Sequence, residues 1–213
     1  MKKNKPSTLY YIHDPMCSWC WGFRPVWQLI RQKLPSNIRV KYILGGLAPD
    51  SDEPMPLAMQ QDIAGYWRKI QQHIPNTEFN FDFWQQCEPR RSTYPACRAV
   101  IAVRKQQADL ELVIIESIQK AYYLQAQNPS NDDTLILLAG KLGLDKDQFS
   151  EALKAQSTQN ELQKEIQFSQ SIGAQGFPSM FLERDGHTQL VPLDYNEPQP
   201  TLDFILKAKP PTT

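Results

Sequence analysis

The chain has 213 residues, and its 23 basic and 23 acidic side chains give a formal net charge of zero. This balance gives no reason to expect a nucleic-acid or polyanion partner. The length fits one large domain, or one domain that carries a sizeable insertion. Residues 1–50 nevertheless hold a net charge of +6, from eight basic and two acidic side chains. These charges either are solvated surface groups or help to stabilise a thiolate in the same region.

The chain begins like a secretory signal, with Met1-Lys2-Lys3-Asn4-Lys5. Pro6, Ser7 and Thr8 follow, however, and Leu9–Ile12 is shorter than the apolar region of about 7–15 residues that such a signal needs. The sequence also has no run of about 18 apolar residues that could span a membrane. We therefore expect a cytoplasmic protein with no membrane partner. In that reducing compartment, four cysteines in so long a chain do not indicate a disulfide scaffold.

The first strand is predicted at Leu9–Ile12, and the motif Cys17-Ser18-Trp19-Cys20 follows it at the start of an amphipathic helix. Apolar side chains recur along that helix at Phe23, Val26, Trp27, Ile30 and Leu34. A thiol at a helix N-terminus faces unpaired N–H groups and the positive end of the dipole, which lower its pKa and stabilise the attacking thiolate. The second cysteine, one turn further along, can then attack the mixed disulfide. This placement favours redox exchange over a structural or metal-binding role.

The residues after this helix predict a second strand and then a long helical region. Ile38–Leu44 has the alternation typical of a strand, and Gly45-Gly46 ends it. A proline-rich, acidic linker at 48–56 follows. Helical patterns then cover residues 57–73, 80–87, 95–107, 110–126, 131–142, 146–155 and 158–171. Asn131 and Asp145 precede two of these patterns as N-cap signals.

The end of the chain returns to strands. We predict strands at 179–183 and 188–193, joined by the hairpin turn Asp185-Gly186, and a last helix at 198–208 that Pro210-Pro211 stop.

The order of these elements predicts an α/β thioredoxin fold with a large all-helical insertion between its halves. We expect residues 1–50 with 168–213 to form the thioredoxin-like domain. Residues 51–167 would then form the helical insertion domain.

Four features of the sequence bear on its family. They are the Cys17–Cys20 motif with Trp21 after it, the helix-kinking Pro25, and the segments at residues 176–179 (Gly-Phe-Pro-Ser) and 92–98 (Ser-Thr-Tyr-Pro-Ala-Cys-Arg). With these features the chain resembles the DsbA-like branch of the thioredoxin superfamily, and more narrowly the cytoplasmic FrnE-like group of predicted protein disulfide isomerases. The two segments are similar to the family's Gly-Val-Pro-Thr loop and Asn-Thr-x-x-Ala-His-Arg segment. Kappa-class glutathione transferases and hydroxychromene-carboxylate isomerases share this architecture. The resemblance therefore implies a DsbA-like fold.

The resemblance also implies roles for the site residues. Cys17 would be the nucleophile, Cys20 the resolving thiol, and Phe177–Pro178 a cis-proline loop beside the sulfurs. The cis bond would leave the Phe177 backbone free to pair with an extended substrate strand. Ser18 and Trp19 would contact the substrate, although Trp19 could instead pack under the insertion.

Two departures from the family pattern concern the chemistry. Tyr11 stands where thioredoxins and DsbA carry a buried carboxylate, six residues before the nucleophile. Regular alternation of the strand would point the nearby His13 and Asp14 elsewhere, so the proton acceptor for Cys20 is unassigned. The dipeptide between the cysteines is Ser-Trp and not Pro-His, from which we expect a less stabilised thiolate and a less oxidising disulfide.

Two candidate modulators lie close to this motif or in the insertion. His13 could raise the reactivity of Cys17 as an imidazolium, or could face solvent or a backbone partner. Cys97 stands where related enzymes have histidine and could border the cleft. Cys97 and Cys87 could also be a second redox pair, or simply small buried side chains.

The third candidate modulator is Arg98, which with Arg90 and Arg91 could bind a carboxylate of glutathione or of an acidic peptide. The same arginines could instead be an exposed, charged helix start. No metal is expected, because a zinc site at Cys17 would need two more ligands in a compact arrangement.

The sequence thus predicts a thiol–disulfide oxidoreductase, a protein disulfide reductase or isomerase, acting on protein disulfides or dithiols. It needs no resident cofactor, and glutathione or a thioredoxin-type protein could supply electrons. A reducing cytosol favours reduction or isomerisation over net oxidation. One alternative is a glutathione-dependent transferase or isomerase of a small molecule, although such relatives generally carry serine as the nucleophile and lack the second cysteine. Another is a non-catalytic binding module that uses the helical region as a groove.

Overall fold

A computed structural model describes residues 7–207, so the predictions that involve the charged start at 1–5 and Pro210-Pro211 lie outside the described residues. The strands are β1 (Ser7–His13), β2 (Ile38–Leu44), β3 (Ser179–Arg184) and β4 (His187–Val191). The helices are α1 (Ser18–Lys33), α2 (Leu57–His73), α3 (Phe83–Gln86), α4 (Tyr94–Gln106), α5 (Glu111–Leu124), α6 (Asp132–Lys141), α7 (Lys146–Lys154), α8 (Gln156–Ser171) and α9 (Pro198–Lys207).

The four strands form one mixed sheet in the order β2-β1-β3-β4. β1 pairs in parallel with β2 and antiparallel with β3, which pairs antiparallel with β4. The φ angles of Asp185 (52°) and Gly186 (81°) suit the left-handed conformation of a tight hairpin turn. The predicted β-α-β start and β-β-α end are therefore confirmed. With the helices between β2 and β3, they make a DsbA-like thioredoxin fold.

Helices cover both faces of the sheet. α1 and α9 bury their apolar side chains against one face, which includes Leu9 and Tyr11 of β1. α8 covers the other face, where Phe168 packs on Tyr10. The apolar face predicted for α1 is buried as expected, and the helix continues through the exposed Pro25.

The helical region has its own apolar core, centred on α4. The α4 side chains from Ala99 to Val103 are fully buried, and α5, α7 and α8 pack around them. Trp67 of α2 is also fully buried, with its ring near Phe79, Phe83 and Tyr122.

Several element ends differ from the sequence prediction. The helix predicted at 80–87 is reduced to the four residues of α3, and the one predicted at 110–126 opens with a 3-10 turn at Ala108–Leu110. Asp145 caps α7 by accepting a hydrogen bond from the Gln148 N–H. Asn131 stands at the N-cap of α6 without capping it, and its side chain instead accepts a hydrogen bond from Arg90.

One ionic cluster joins the helical region to the sheet. Arg104 of α4 forms ion pairs with Glu111, Glu161 and Glu165. The second oxygen of Glu165 accepts the backbone N–H of Leu44 at the end of β2 (2.7 Å). Domain boundaries at 50/51 and 167/168 stay a prediction.

Candidate active site

The CxxC motif lies at the junction of β1 and α1. Cys17 is the N-cap of α1, its N–H donates to the Asp14 carbonyl (3.0 Å), and its own carbonyl accepts the first helical N–H, from Trp21 (3.1 Å). The residues after Cys17 therefore start the helix, and the Cys17 sulfur lies near its positively polarised end.

The two thiols have different surroundings. Cys17 is 6% exposed and Cys20 only 2% exposed. Burial, together with a hydrogen bond to Cys17, raises the pKa of Cys20 well above the ordinary thiol value. Cys20 therefore holds its proton, and its side chain is hydrogen-bonded to that of Cys17.

The loop before β3 contacts Cys17 directly. The Phe177–Pro178 peptide bond is cis, and the Cys17 thiol donates a hydrogen bond to the Phe177 carbonyl (3.2 Å). The backbone of Gly45 passes so close to the Phe177 ring that a Cβ atom there would lie 2.0 Å from a ring carbon. The absence of a side chain at Gly45 thus lets β2 and the proline loop meet beside the sulfur.

A cleft of about 230 Å³ opens in front of Cys17. Its walls come from both parts of the fold, with Ser18 and Trp19 on one side and Met55, Ile63 and Tyr66 of the helical region on the other. Arg90 and Arg91 also line it, together with Phe177. The Trp19 ring contacts Tyr195 and His73 edge-on, so this tryptophan both packs and faces the cleft.

Asp14 has a role that the strand alternation did not reveal. It is fully buried, and its Oδ1 accepts the Met16 N–H (2.8 Å). Its Oδ2 accepts the Leu47 N–H (2.7 Å), the Thr93 hydroxyl (2.7 Å) and the Cys97 thiol (3.4 Å). Burial raises the pKa of Asp14, while these hydrogen bonds oppose the rise. Asp14 therefore ties the CxxC loop to the segment that follows β2 and to the start of α4.

The expectation that Cys97 borders the cleft is wrong. Cys97 is fully buried and is bonded to Asp14, not to either active-site sulfur. Cys87 is half-buried, and its thiol donates to the Ala126 carbonyl (3.0 Å). The two cysteines thus have separate partners and do not form a pair.

The expectation for Arg98 also fails. Its guanidinium binds both carboxylate oxygens of Asp50 (2.7 and 2.8 Å) and the Gln159 amide oxygen (2.9 Å). A guanidinium engaged in this way is not free to bind a substrate carboxylate. Arg90 donates to the Ser130 carbonyl, while Arg91 is exposed at the cleft.

His13 neither faces solvent nor carries charge. It is 2% exposed, and burial with the nearby Arg104 charge lowers its pKa to about 3, so the imidazole is neutral at pH 7. An imidazolium at His13 beside Cys17, one of the two readings of the sequence, is therefore wrong. Tyr11, in the position of the missing carboxylate, is buried and stacks on Trp27 (4.7 Å between centroids).

Within residues 7–207, no group of three or more His, Cys, Asp and Glu side chains is placed to hold a metal ion. Over the same residues, no helix is both long and apolar enough to cross a membrane.

Comparison with known proteins gives a consistent picture. The profile of the DSBA-like thioredoxin domain matches residues 9–198. The crystal structure of a candidate protein disulfide isomerase from Nitrosomonas europaea superposes with a TM-score of 0.80 at 27% identity, covering 94% of this chain and 95% of that one. The cytosolic disulfide reductase DsbM from Pseudomonas aeruginosa gives a TM-score of 0.75 at 24% identity, with 93% and 97% covered.

Three curated relatives are named as adapter proteins and not as disulfide reductases or isomerases. The ClpXP adapter protein SpxH of Halalkalibacterium halodurans is 24% identical over 86% of this chain and 61% of its own length. The chain therefore spans about three fifths of the curated relatives it matches.

Proposed function

Because the chain belongs to the DSBA-like thioredoxin domain family, we propose that it is a cytoplasmic thiol–disulfide oxidoreductase in which Cys17 attacks and Cys20 resolves. The observation that carries the proposal is the asymmetry of the two thiols. Cys17 caps a helix N-terminus and touches the cis-proline loop, whereas Cys20 lies behind it with a raised pKa. A nucleophile needs the first environment, and a resolving thiol that waits protonated needs the second.

The reaction exchanges one disulfide for another. The Cys17 thiolate attacks one sulfur of a substrate disulfide, and the other substrate sulfur leaves as a thiolate. Cys20 then loses its proton and attacks the Cys17 sulfur, which releases the second substrate thiolate. The substrate gains two electrons and the enzyme ends with a Cys17–Cys20 disulfide. Renewed turnover needs a dithiol or glutathione as the electron donor, whereas isomerisation needs none.

Protein substrates fit the cleft better than a small molecule does. Its walls are mostly apolar and include Tyr66 of α2, which is 53% exposed. Such a surface suits a partly unfolded segment that presents apolar side chains. An extended segment would pair with the Phe177 backbone while its disulfide lies against Cys17.

Glutathione is proposed as a donor of electrons and not as the main substrate. One structure of the similar DsbM protein is described with GSH. In the present chain Arg91 is exposed at the cleft and can meet a carboxylate, but Arg98 is held by Asp50. This leaves a weaker anion site than the three arginines suggested from the sequence, and the transferase alternative loses support accordingly.

A trapping experiment tests the proposal. In a Cys20→Ala variant the mixed disulfide cannot be resolved, so substrates should stay attached to Cys17 in cell extract and should be released by dithiothreitol. Insulin reduction by the unmodified chain should fall to background in Cys17→Ser. The matched control, Cys87→Ala, removes a half-buried thiol outside the site and should leave the rate unchanged.

The outcomes separate the alternatives. Protein adducts together with insulin reduction support exchange on proteins. Glutathione adducts alone would favour the small-molecule function. If Cys17→Ser bound the same proteins and lost no activity, the chain would instead be a binding module, the role that the name adapter describes in its curated relatives.

A further inference from the structure

The two active-site thiols face different spaces. Cys17 lines the cleft described above, whereas Cys20 lines a second cavity of about 270 Å³, here called the rear cavity. Its walls include Tyr11, His13, Tyr42 and α5 residues such as Ile115 and Gln119. Solvent in this cavity can therefore reach the side of α1 that carries the resolving cysteine.

His13 is the unexplained group in the wall of the rear cavity. Its Nε2 atom is buried and has no hydrogen-bond partner among the residues that the structure describes. Buried polar atoms of this kind are rare in folded proteins and call for a reason. Because burial lowers the pKa of His13 to about 3, the imidazole is neutral, and one of its two ring nitrogens carries a lone pair that can accept a proton.

The other acids and bases that line the rear cavity are less suited to take a proton. Burial and the neighbouring Cys20 raise the pKa of the Tyr11 phenol well above its ordinary value, so Tyr11 stays protonated. A hydrogen bond from Lys120 and the charge of Arg24 lower the pKa of Glu116, which is ion-paired with both. A carboxylate stabilised by two cations is a poor base.

Asp14 also lies near Cys20, but both of its carboxylate oxygens already accept hydrogen bonds. They accept four hydrogen bonds, from the Met16 and Leu47 N–H groups, the Thr93 hydroxyl and the Cys97 thiol. Asp14 therefore acts as a structural acceptor. The charged and titratable groups around His13 include Tyr11, Asp14, Cys20, Arg24, Arg31, Tyr42, Arg104 and Glu116.

We propose that His13 is the general base for Cys20, and that it takes the Cys20 proton, directly or through one water molecule in the rear cavity, as Cys20 attacks the mixed disulfide. The proposal rests on the thiol–disulfide exchange proposed above. The Cys20 S–H bond breaks and an imidazole N–H bond forms. The Cys17–Cys20 disulfide forms while the bond from Cys17 to the substrate sulfur breaks, and the substrate leaves with that electron pair.

The low pKa of His13 is compatible with this role. It reflects the cost of an isolated imidazolium in a buried site. During the proton transfer the imidazolium and the Cys20 thiolate form together. The attraction between these opposite charges offsets the free-energy cost of forming each of them in a buried site. The imidazolium afterwards returns its proton to solvent through the rear cavity.

A two-phase rate measurement with the aromatic disulfide DTNB tests the proposal. Attack of Cys17 releases one coloured thionitrobenzoate and resolution by Cys20 releases the second, in a phase that does not depend on reagent concentration. In His13→Gln the first phase should keep its rate, and the second should slow about 100-fold at neutral pH, the usual contribution of a general base. His187→Gln makes the same change at an exposed histidine and should leave both phases unchanged.

The pH dependence of the second phase distinguishes a role of His13 as a base from a purely structural role. In the unmodified chain the second phase should be nearly flat between about pH 5 and pH 8, because His13 is neutral throughout. In His13→Gln it should rise about tenfold per pH unit, since it then depends on prior ionisation of Cys20. A His13→Ala variant should regain a fast second phase when imidazole is added, because the rear cavity can admit it.

The results that would contradict the role of His13 differ from those that would contradict thiol–disulfide exchange. If the first phase is present and the second keeps its rate and flat pH profile in His13→Gln, His13 is not the base. If His13→Gln does not fold, imidazole rescue of His13→Ala decides, and a second phase that stays slow would overturn the proposal. If the unmodified chain shows no first phase, the proposed thiol–disulfide exchange itself is refuted.

Discussion

Replacing Thr93 by valine should destabilise the protein strongly through the buried Asp14. The Thr93 hydroxyl donates to Asp14 Oδ2 (2.7 Å) and accepts the Ala48 N–H (3.0 Å). Loss of a hydrogen bond to a charged group costs about 1.5–3 kcal/mol, and leaving the Ala48 N–H unpaired adds about 1–3 kcal/mol. We therefore expect Thr93→Val to lower the free energy of unfolding by about 3–5 kcal/mol at neutral pH.

The stability loss caused by Thr93→Val should change with pH in a predictable direction. Burial raises the pKa of Asp14, so the folded state holds that proton at pH values where the unfolded chain has released it. The folded state accordingly loses stability as pH rises from the ordinary aspartate pKa through the raised one. Because the Thr93 hydroxyl favours the charged form, its loss costs most when Asp14 is ionised, and the penalty should shrink as pH falls.

Urea unfolding at about pH 4.5 and about pH 7.5 measures both effects. Thr93→Ser is the matched control, since it keeps the hydroxyl and loses only a buried methyl group, worth about 1 kcal/mol. The reasoning is refuted if the valine and serine variants lose equal stability at neutral pH, or if the valine penalty is the same at both pH values.

Three further changes test the site and its attachment to the helical region. In Gly45→Ala the new methyl group would meet the Phe177 ring at 2.0 Å, so insulin reduction should fall at least about tenfold while the circular dichroism spectrum is unchanged. Arg104→Met removes the ion-pair partner of Glu111 and Glu165, whereas Glu161 keeps its ion pair with Lys105, and the change should cost about 2 kcal/mol in urea unfolding at neutral pH. Arg91→Gln should raise the KM for glutathione disulfide, whereas Arg98→Gln should not, because Arg98 is bound to Asp50; an equal effect of both would contradict the assigned geometry.

Local sequence patterns predicted the elements well where those patterns were long. The bounds of β2 (Ile38–Leu44) and α2 (Leu57–His73) were predicted to the residue, because alternation and helical spacing persist over their whole length. The predicted helix at 80–87 became the single turn Phe83–Gln86, since an apolar run that short carries too little periodicity to fix its conformation.

Residues of the site that depend on distant partners were harder to predict. The alternation of β1 places Tyr11 and His13 on one face, but the α5 side chains that complete the cavity beside Cys20 come from far along the chain. Asp14 follows the last residue of β1, where alternation no longer applies, and its partner Thr93 is 79 residues away. An acidic residue directly after a predicted strand and before a proline was the one sequence signal that could have pointed to Asp14.

The contact between Cys17 and the proline loop has a consequence for synthesis of the protein. The two partners of that hydrogen bond, Cys17 and Phe177, are 160 residues apart in the chain. At about 5–20 residues per second, a ribosome needs roughly 8–32 s to add that stretch. Throughout this interval the nascent chain presents Cys17 without the carbonyl and ring that later lie beside it. The thiol is thus open to glutathione disulfide and other small disulfides before the fold is complete, and any mixed disulfide formed then must be removed before the cleft can close around Cys17.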